Sequence, residues 1–349
     1  MTNRDLLLRT ARFDKPERIP VRVSLSPTCW SHYPRERLFE LLEAHSLLFP
    51  WFDRERWRGP RIPPWRRAGL PYLDSWGCEW VTPEDGITGA VTRHPLADWA
   101  ALETFRPPNP ELHDGWGRTD WAAREAGLRR AADAGALVQG SLRHGHSFLT
   151  LTYLCGYENA LYAMADDDPR LHQVLDVIGR FNAYAVDRYV DSGVEWMGYP
   201  EDLGMQVGPM LSPEQFRTFI KPIYERLMAP ARDAGCVVHM HSDGDIRDLL
   251  DDLLDCGVDV LNVQDLVNGV ELLEQRVKGR VCIDVDIDRQ RITQFGTPRE
   301  IDLHIRNVVS RLGGRDGGLM LTHGIYPGAP LENLRAVLDA LERYATYWS

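Results

Sequence analysis

At 349 residues, with 44% hydrophobic and 26% charged side chains and a formal charge of −11, the chain has the make-up of an ordinary soluble enzyme. The acidic balance argues against a nucleic-acid groove or an anionic membrane surface as partner, and no apolar run approaches the ~20 residues that cross a bilayer. The polar start Met1-Thr2-Asn3-Arg4-Asp5 lacks the apolar core of a signal peptide, and the six cysteines form no C-x-x-C pair, so a cytoplasmic location is expected.

In chain order, residues 1–17 read as a helix and Arg18 to Leu25 as a first strand. From Trp30 to about Pro110 the text changes: six tryptophans (51, 57, 65, 76, 80, 99) crowd among prolines. Cys78 to Thr82 and Ile87 to Thr92, joined by Pro83-Glu84-Asp85-Gly86, predict a hairpin. This 30–110 stretch is expected to elaborate, or form a lid on, one domain spanning 1–349; it would also suit a homodimer contact. Its basic run (Arg54, Arg56, Arg58, Arg61, Arg66, Arg67) reads as a solvated loop, or else as a lid that meets an anion.

From residue 111 a strand–helix alternation sets in. Asp120–Ala134 is helical, Leu137–Ser141 a strand, and Asp168-Pro169 opens a helix to Asp191 followed by strand Val194–Tyr199. Ser212-Pro213-Glu214-Gln215 has the spacing of a capping box, and Pro222 predicts a kink in its helix. Strands follow after Gly235 (running through Val237 to His241) and at Val258–Asn262, Val281–Asp284 and Leu319–Thr322, with helices between them, the last opened by Pro330. Helices between parallel strands are βαβ units. With the first strand these make seven, and an eighth hidden in the Trp-rich stretch would close an α/β (β/α)8 TIM barrel. No glycine-rich phosphate loop follows any strand, which disfavours a nucleotide site.

In such barrels the loops after the strands build the site. Those positions hold Arg143, His144 and His146; Tyr199, Glu201 and Asp202; His241 and Asp243; Gln264 and Asp265; Asp284, Asp286 and Asp288; then His323 and Tyr326. Side chains alternate along a strand, so Val237, His239, His241 and Asp243 should share one face. His241, Asp243 and His323 could supply two imidazoles and a carboxylate to a metal from two strands. The H-x-D spacing alone also fits a hydrogen-bonded His–Asp acid–base pair.

Arg12 to Val21, Glu201-Asp202-Leu203-Gly204 with Leu211-Ser212-Pro213-Glu214, His241-Ser242-Asp243-Gly244, Phe295-Gly296-Thr297-Pro298, and His323-Gly324-Ile325 leading to Pro330-Leu331-Glu332-Asn333 together resemble the uroporphyrinogen decarboxylase superfamily. The resemblance implies a (β/α)8 barrel with its site at the strand C-termini. True uroporphyrinogen decarboxylases grip carboxylates with arginines in an M-R-Q-A-G-R stretch after the first strand. Here that stretch reads Val21-Arg22-Val23-Ser24-Leu25-Ser26-Pro27, so porphyrinogen is not the expected substrate. The methylcobamide:coenzyme M methyltransferase branch binds zinc through H-x-C-G and a later Cys-Gly. Against that pattern His241 matches the histidine, Asp243 takes the first cysteine's place, and His323 takes the second's.

The resemblance therefore implies a divalent metal, zinc or else iron, manganese or cobalt, held by His241, Asp243 and His323, and group transfer onto a small molecule with a corrinoid-carrying protein as partner. Glu201 or Asp202 would accept a proton or bind substrate, Tyr199 stands with them, and Arg143, His144 and His146 would bind an anion or hydrogen-bond. Asp284 or Asp286 would orient a metal-bound histidine. The competing expectations are a metal-free decarboxylase of a small carboxylated substrate and a non-catalytic ligand-binding barrel.

Overall fold

The computed structural model describes residues 2–346 and forms two compact units. The first contains Met1–Asp5, Pro71–Val81 and Ala90–Asn262; the second contains Leu6–Leu70, Thr82–Gly89 and Val263–Ser349. Of the 30–110 stretch, residues 30–70 and 82–89 fall in the second unit and 71–81 and 90–110 in the first. Of the helix expected over 1–17, Asn3–Ala11 is helical, and Met1 lies outside the described residues.

Strands are numbered in chain order. The first unit carries β2 (Tyr72–Leu73), β3 (Glu79–Val81), β4 (Ala90–Arg93), β5 (Gln139–Ser141), β6 (Trp196–Asp202), β7 (Gly204–Met205), β8 (Gly208–Pro209) and β9 (Val237–Asp243). Strands β5, β6 and β9 are parallel neighbours, in register Ser141↔Gly198, Gly198↔His239, Pro200↔His241 and Asp202↔Asp243. Residues in register share a face, so Asp202, His241 and Asp243 come to one side of the strand ends. Met197, Tyr199, Val238 and Met240 take the other side and are fully buried, a gain of roughly 1.5–3 kcal/mol for each large apolar side chain.

The connections explain the parallel pairing. Asp168 caps the Pro169–Asp191 helix through the Arg170 amide, and Ser212 and Gln215 make the expected capping box. The Pro222 kink takes a particular form: Phe216–Ile220 is a π-turn, and Pro222 sits in the first turn of the Lys221–Asp233 helix, where its missing N–H costs nothing. Helices that escape the sequence reading include Phe148–Cys155 and Tyr157–Ala165. The first is buried at nearly every position, so it shows no apolar stripe from which a helix could be read.

The second unit carries β1 (Val21–Leu25), β11 (Cys282–Asp286) and β12 (Leu319–Ile325), again parallel, with Val23↔His323 and Asp286↔Thr322 in register. The strand β10 (Val260–Gln264) has its first three residues in the first unit and its last two in the second. The second unit's long helices are Pro298–Leu312, opened by a Thr297/Glu300 capping box, and Leu331–Ala345.

Seven parallel strands are therefore present, as read from the sequence, but no eighth joins them among the described residues. The Trp-rich stretch forms instead the antiparallel sheet β2–β3–β4, with Trp80 paired to Val91. The expected hairpin is real, its second arm shifted to Ala90–Arg93. Much of the basic run is tied to nearby acids. Arg54 binds Glu43 and Glu36, Arg56 meets Asp53, and Arg67 meets Asp85. Among the described residues no helix is long and apolar enough to cross a membrane.

Candidate metal centre

The polar ends of β6 and β9 and the loop after β5 meet at a small group of donors. His144, Asp202 and His241 each offer one ligand atom, and these atoms lie within 4.8 Å of one another. Asp202 Oδ1 is 3.4 Å from His144 Nε2 and 3.6 Å from His241 Nε2. Two ligands at 2.1 Å on a tetrahedral cation stand about 3.4 Å apart, so both separations suit a metal. Asp243 Oδ1 is 3.8 Å from His241 Nε2, near enough to be a fourth ligand or a proton acceptor.

Two of the donors, His241 and Asp202, are held from behind. His241 Nδ1–H donates to Asn262 Oδ1 at 2.5 Å, leaving Nε2 as the atom aimed at the group. An imidazole that ligates a metal is usually fixed in this way through its other nitrogen. Asp202 Oδ1 accepts the Asp243 amide at 3.1 Å, and Ser242 Oγ accepts the Leu203 amide at 2.9 Å. After the strands, Gly244 (φ +80°) passes so close to Gly204 that a Cβ would lie 2.2 Å from the Gly204 backbone. Glycine at both places lets the two loops zip together through the Asp245 amide and Met205 carbonyl, 2.7 Å.

The electrostatics follow from burial and pairing. Burial opposes charge on His241, yet the hydrogen bond to Asp202 and the fields of Asp243 and Asp202 outweigh it and hold the ring's pKa up to about 9. Burial would raise the Asp202 carboxyl, but the two imidazoles bring it well below the usual range. With no metal the group is thus a charged His–Asp pair. A cation would replace the His241 proton on Nε2.

The other expected residues divide clearly. Tyr199 and Glu201 lie on the opposite face of β6 from Asp202. Tyr199 donates to the Leu227 carbonyl at 2.9 Å. Glu201 is fully buried and accepts the amides of Ser147, Phe148 and Leu149 at 2.9–3.2 Å and the Tyr224 hydroxyl at 3.2 Å. It anchors the N-terminus of the Phe148–Cys155 helix. Burial pushes its carboxyl up to about 7 against the pull of those amides. His146 is buried beside it, bonded to Ser147 Oγ, and burial lowers its ring to about 3.

Arg143 offers little to an anion. Its guanidinium is bonded to Asp74 and the Gly115 carbonyl and lies 3.8 Å from the Trp116 ring centroid.

In the second unit, Asp284 accepts from Arg22 and Thr322, and Asp286 pairs with Arg289 at 2.9 Å. His323 shares the face of Val23 and Leu321, opposite Thr322 and Asp286. Its Nδ1–H donates to the Ile287 carbonyl at 3.2 Å, and burial lowers the ring to about 4. Among the described residues the donors that come within 4.8 Å of one another are His144, Asp202 and His241, with Asp243 beside His241. The expectation treated His144 as an anion contact because a loop residue has no periodicity that fixes its direction. Asn262 and Asp74 were missed outright, since a single Asn or Asp carries no signal before its partner is known.

A family model described as Uroporphyrinogen decarboxylase (URO-D) matches residues 71–344. Curated relatives include the uroporphyrinogen decarboxylase of Prochlorococcus marinus (strain NATL1A), 27% identical over 193 residues and covering 51% of this chain and 49% of that one. That of a Thermus thermophilus strain is 29% identical over 137 residues, covering 39% and 38%. The chain spans about half or less of the length of the curated relatives it matches. Among solved structures, a methyltransferase from Methanosarcina mazei superposes with a TM-score of 0.66 at 19% identity over 98% of both chains, and shows that the fold is α/β and TIM-barrel-like.

Proposed function

The chain belongs to the uroporphyrinogen decarboxylase family, and from that premise we propose that it is a metal-dependent group-transfer enzyme of the methyltransferase kind, acting on a small molecule. The observation that carries the reading is the donor group itself: His144 Nε2, Asp202 Oδ1 and His241 Nε2 within 4.8 Å of one another, with His241 Nδ1 bonded to Asn262. A divalent cation held there, zinc or else iron, manganese or cobalt, supplies Lewis acidity towards a thiol, hydroxyl or water nucleophile. His144, Asp202 and His241 hold it, and Asn262 keeps the His241 lone pair pointing inward. The Asp243 carboxylate, 3.8 Å from His241 Nε2, is placed to take the nucleophile's proton.

The reaction class is supported by the solved methyltransferase of the same fold, and a corrinoid-carrying partner protein belongs to the reading as methyl donor. Porphyrinogen does not fit. The arginine pair that would grip its carboxylates is missing after the first strand, and Arg22, the one arginine there, is paired with Asp284.

One observation favours a second reading. His241 holds its proton up to about 9 beside Asp202, which suits a metal-free decarboxylase in which the imidazolium protonates the carbanion left by CO2. Elemental analysis of protein purified without added metal separates the two. Stoichiometric metal that disappears in His241→Ala and Asp202→Asn supports group transfer. A folded, metal-free protein that releases CO2 from a small carboxylic acid supports the lyase.

A further inference from the structure

We propose that Arg143 is a positioning residue: caged by aromatic rings and a buried carboxylate, it fixes the loop that delivers the His144 ring to the donor group. The proposal rests on His144 being a donor of the centre described above. His144 needs such help. Its side chain is 46% exposed, and it reaches the group from a loop rather than a strand. Left to itself, an exposed side chain samples several rotamers, and a ligand must be held to within about 0.5 Å.

The residue before it is held through both of its terminal nitrogens. The Arg143 side chain is 5% exposed. Both terminal nitrogens lie 3.2 Å from Asp74 Oδ2, and one donates to the Gly115 carbonyl at 2.7 Å. The guanidinium sits 3.8 Å from the Trp116 ring centroid, 5.6 Å from that of Trp80 and 5.9 Å from that of Tyr153. Asp74 is itself immobilised: it accepts the Trp76 and Cys78 amides and the Trp80 indole N–H, each at 2.9 Å. Gly115 (φ +98°) passes so near that a Cβ there would lie 3.0 Å from Arg143 Cδ.

On the other side of His144 the Gly145 amide donates to the Pro200 carbonyl at 2.9 Å, two residues before Asp202. The backbone is thus pinned on either side of His144. A buried ion pair adds little net stability compared with apolar packing. Two charges buried among tryptophans are therefore better explained by the geometry they enforce. The same cage gives Asp74, Trp80, Trp116 and Tyr153 a purpose that their place in the sequence did not suggest.

The test uses Co2+ as probe metal on the full chain. Arg143→Met alone strands the Asp74 carboxylate at a cost to folding, so the decisive variant is the charge-free pair Asp74→Asn with Arg143→Met, accompanied by Trp116→Leu. Loss of a residue that orients a ligand typically weakens metal binding 10–100-fold. The double variant, where folded, should therefore bind Co2+ at least ~10-fold more weakly than wild type and show shifted d–d bands. Trp116→Leu, which removes only a ring and leaves the Asp74 hydrogen bonds in place, should change both in the same direction and decides the question if the double variant does not fold.

A folded double variant with wild-type affinity and spectrum overturns the proposal. If wild type takes up no Co2+, the metal reading falls, and positioning is read from the His144 ring signals in 1H–15N spectra, identified by their loss in His144→Gln. Sharp signals in wild type that broaden or move in the double variant support the proposal; unchanged signals overturn it.

Discussion

The pH range from 7 to 9 should separate the metal-free and metal-bound protein with opposite signs, because both depend on the His241 proton. Folding raises this ring from its ordinary 6.5 to about 9. A raised base stabilises the fold fully below 6.5, and that contribution is lost as pH climbs through 9. From pH 7 to 9 the loss is about 2.2 kcal/mol, because the slope of about 1.36 kcal/mol per unit flattens as the ring reaches its midpoint at 9. Metal must displace the same proton, so apparent affinity should rise close to tenfold per pH unit well below 9, roughly 50-fold from 7 to 9, and level off above that.

Urea unfolding of chelator-treated protein at half-unit steps reads the first slope, and Zn2+ titration against a competing chelator reads the second. His241→Gln removes both slopes and supplies the baseline, cancelling groups common to the two proteins. Stability and affinity that are flat between pH 7 and 9, relative to that variant, would refute the reasoning.

Other outcomes follow from the buried carboxylates. Glu201→Ala leaves the three amides of Ser147, Phe148 and Leu149 and the Tyr224 hydroxyl without their acceptor. It should cost at least about 3 kcal/mol in urea unfolding, with Glu201→Gln recovering part. In the second unit Asp265 is fully buried and accepts from His304 Nε2 at 2.7 Å. His304→Ala strands that carboxylate and should cost about 3–5 kcal/mol. Burial lowers the His304 ring, but Asp265 outweighs it and raises the pKa. The stability it contributes should therefore be complete below pH 6.5 and fade above it, read as the difference from His304→Gln. Uroporphyrinogen incubated with the protein should keep its carboxyl groups by chromatography; stepwise loss would restore the porphyrinogen reading.

Much of the fold could be read because it obeys short periods and local capping rules. The two-residue alternation in Val237–Asp243 put His241 and Asp243 on one face, where the β6–β9 register puts them. Asp168, Ser212 and Thr297 marked helix starts that the structure keeps. What failed lacked a period or depended on distant partners. The Phe148–Cys155 helix is buried nearly all round, and the eighth strand was inferred from a count rather than from a pattern.

His323 shows the limit most clearly. A motif order can place a residue at a strand end, yet one residue's shift in parity turns it to the other face, and here His323 stands with Val23 and Leu321. Arg143 looked like an anion contact because nothing in its own neighbourhood shows that Asp74, 69 residues earlier, already occupies it. The candidate site was therefore legible in its strand-borne members and obscure in those that loops and cages position.

Anomalous diffraction at the metal's absorption edge, from crystals of protein purified without chelator, tests the central claim most directly. The account predicts one strong peak about 2.0–2.2 Å from His144 Nε2, Asp202 Oδ1 and His241 Nε2. A peak elsewhere, or none there with the His241 imidazole still bonded to Asp202, would contradict it.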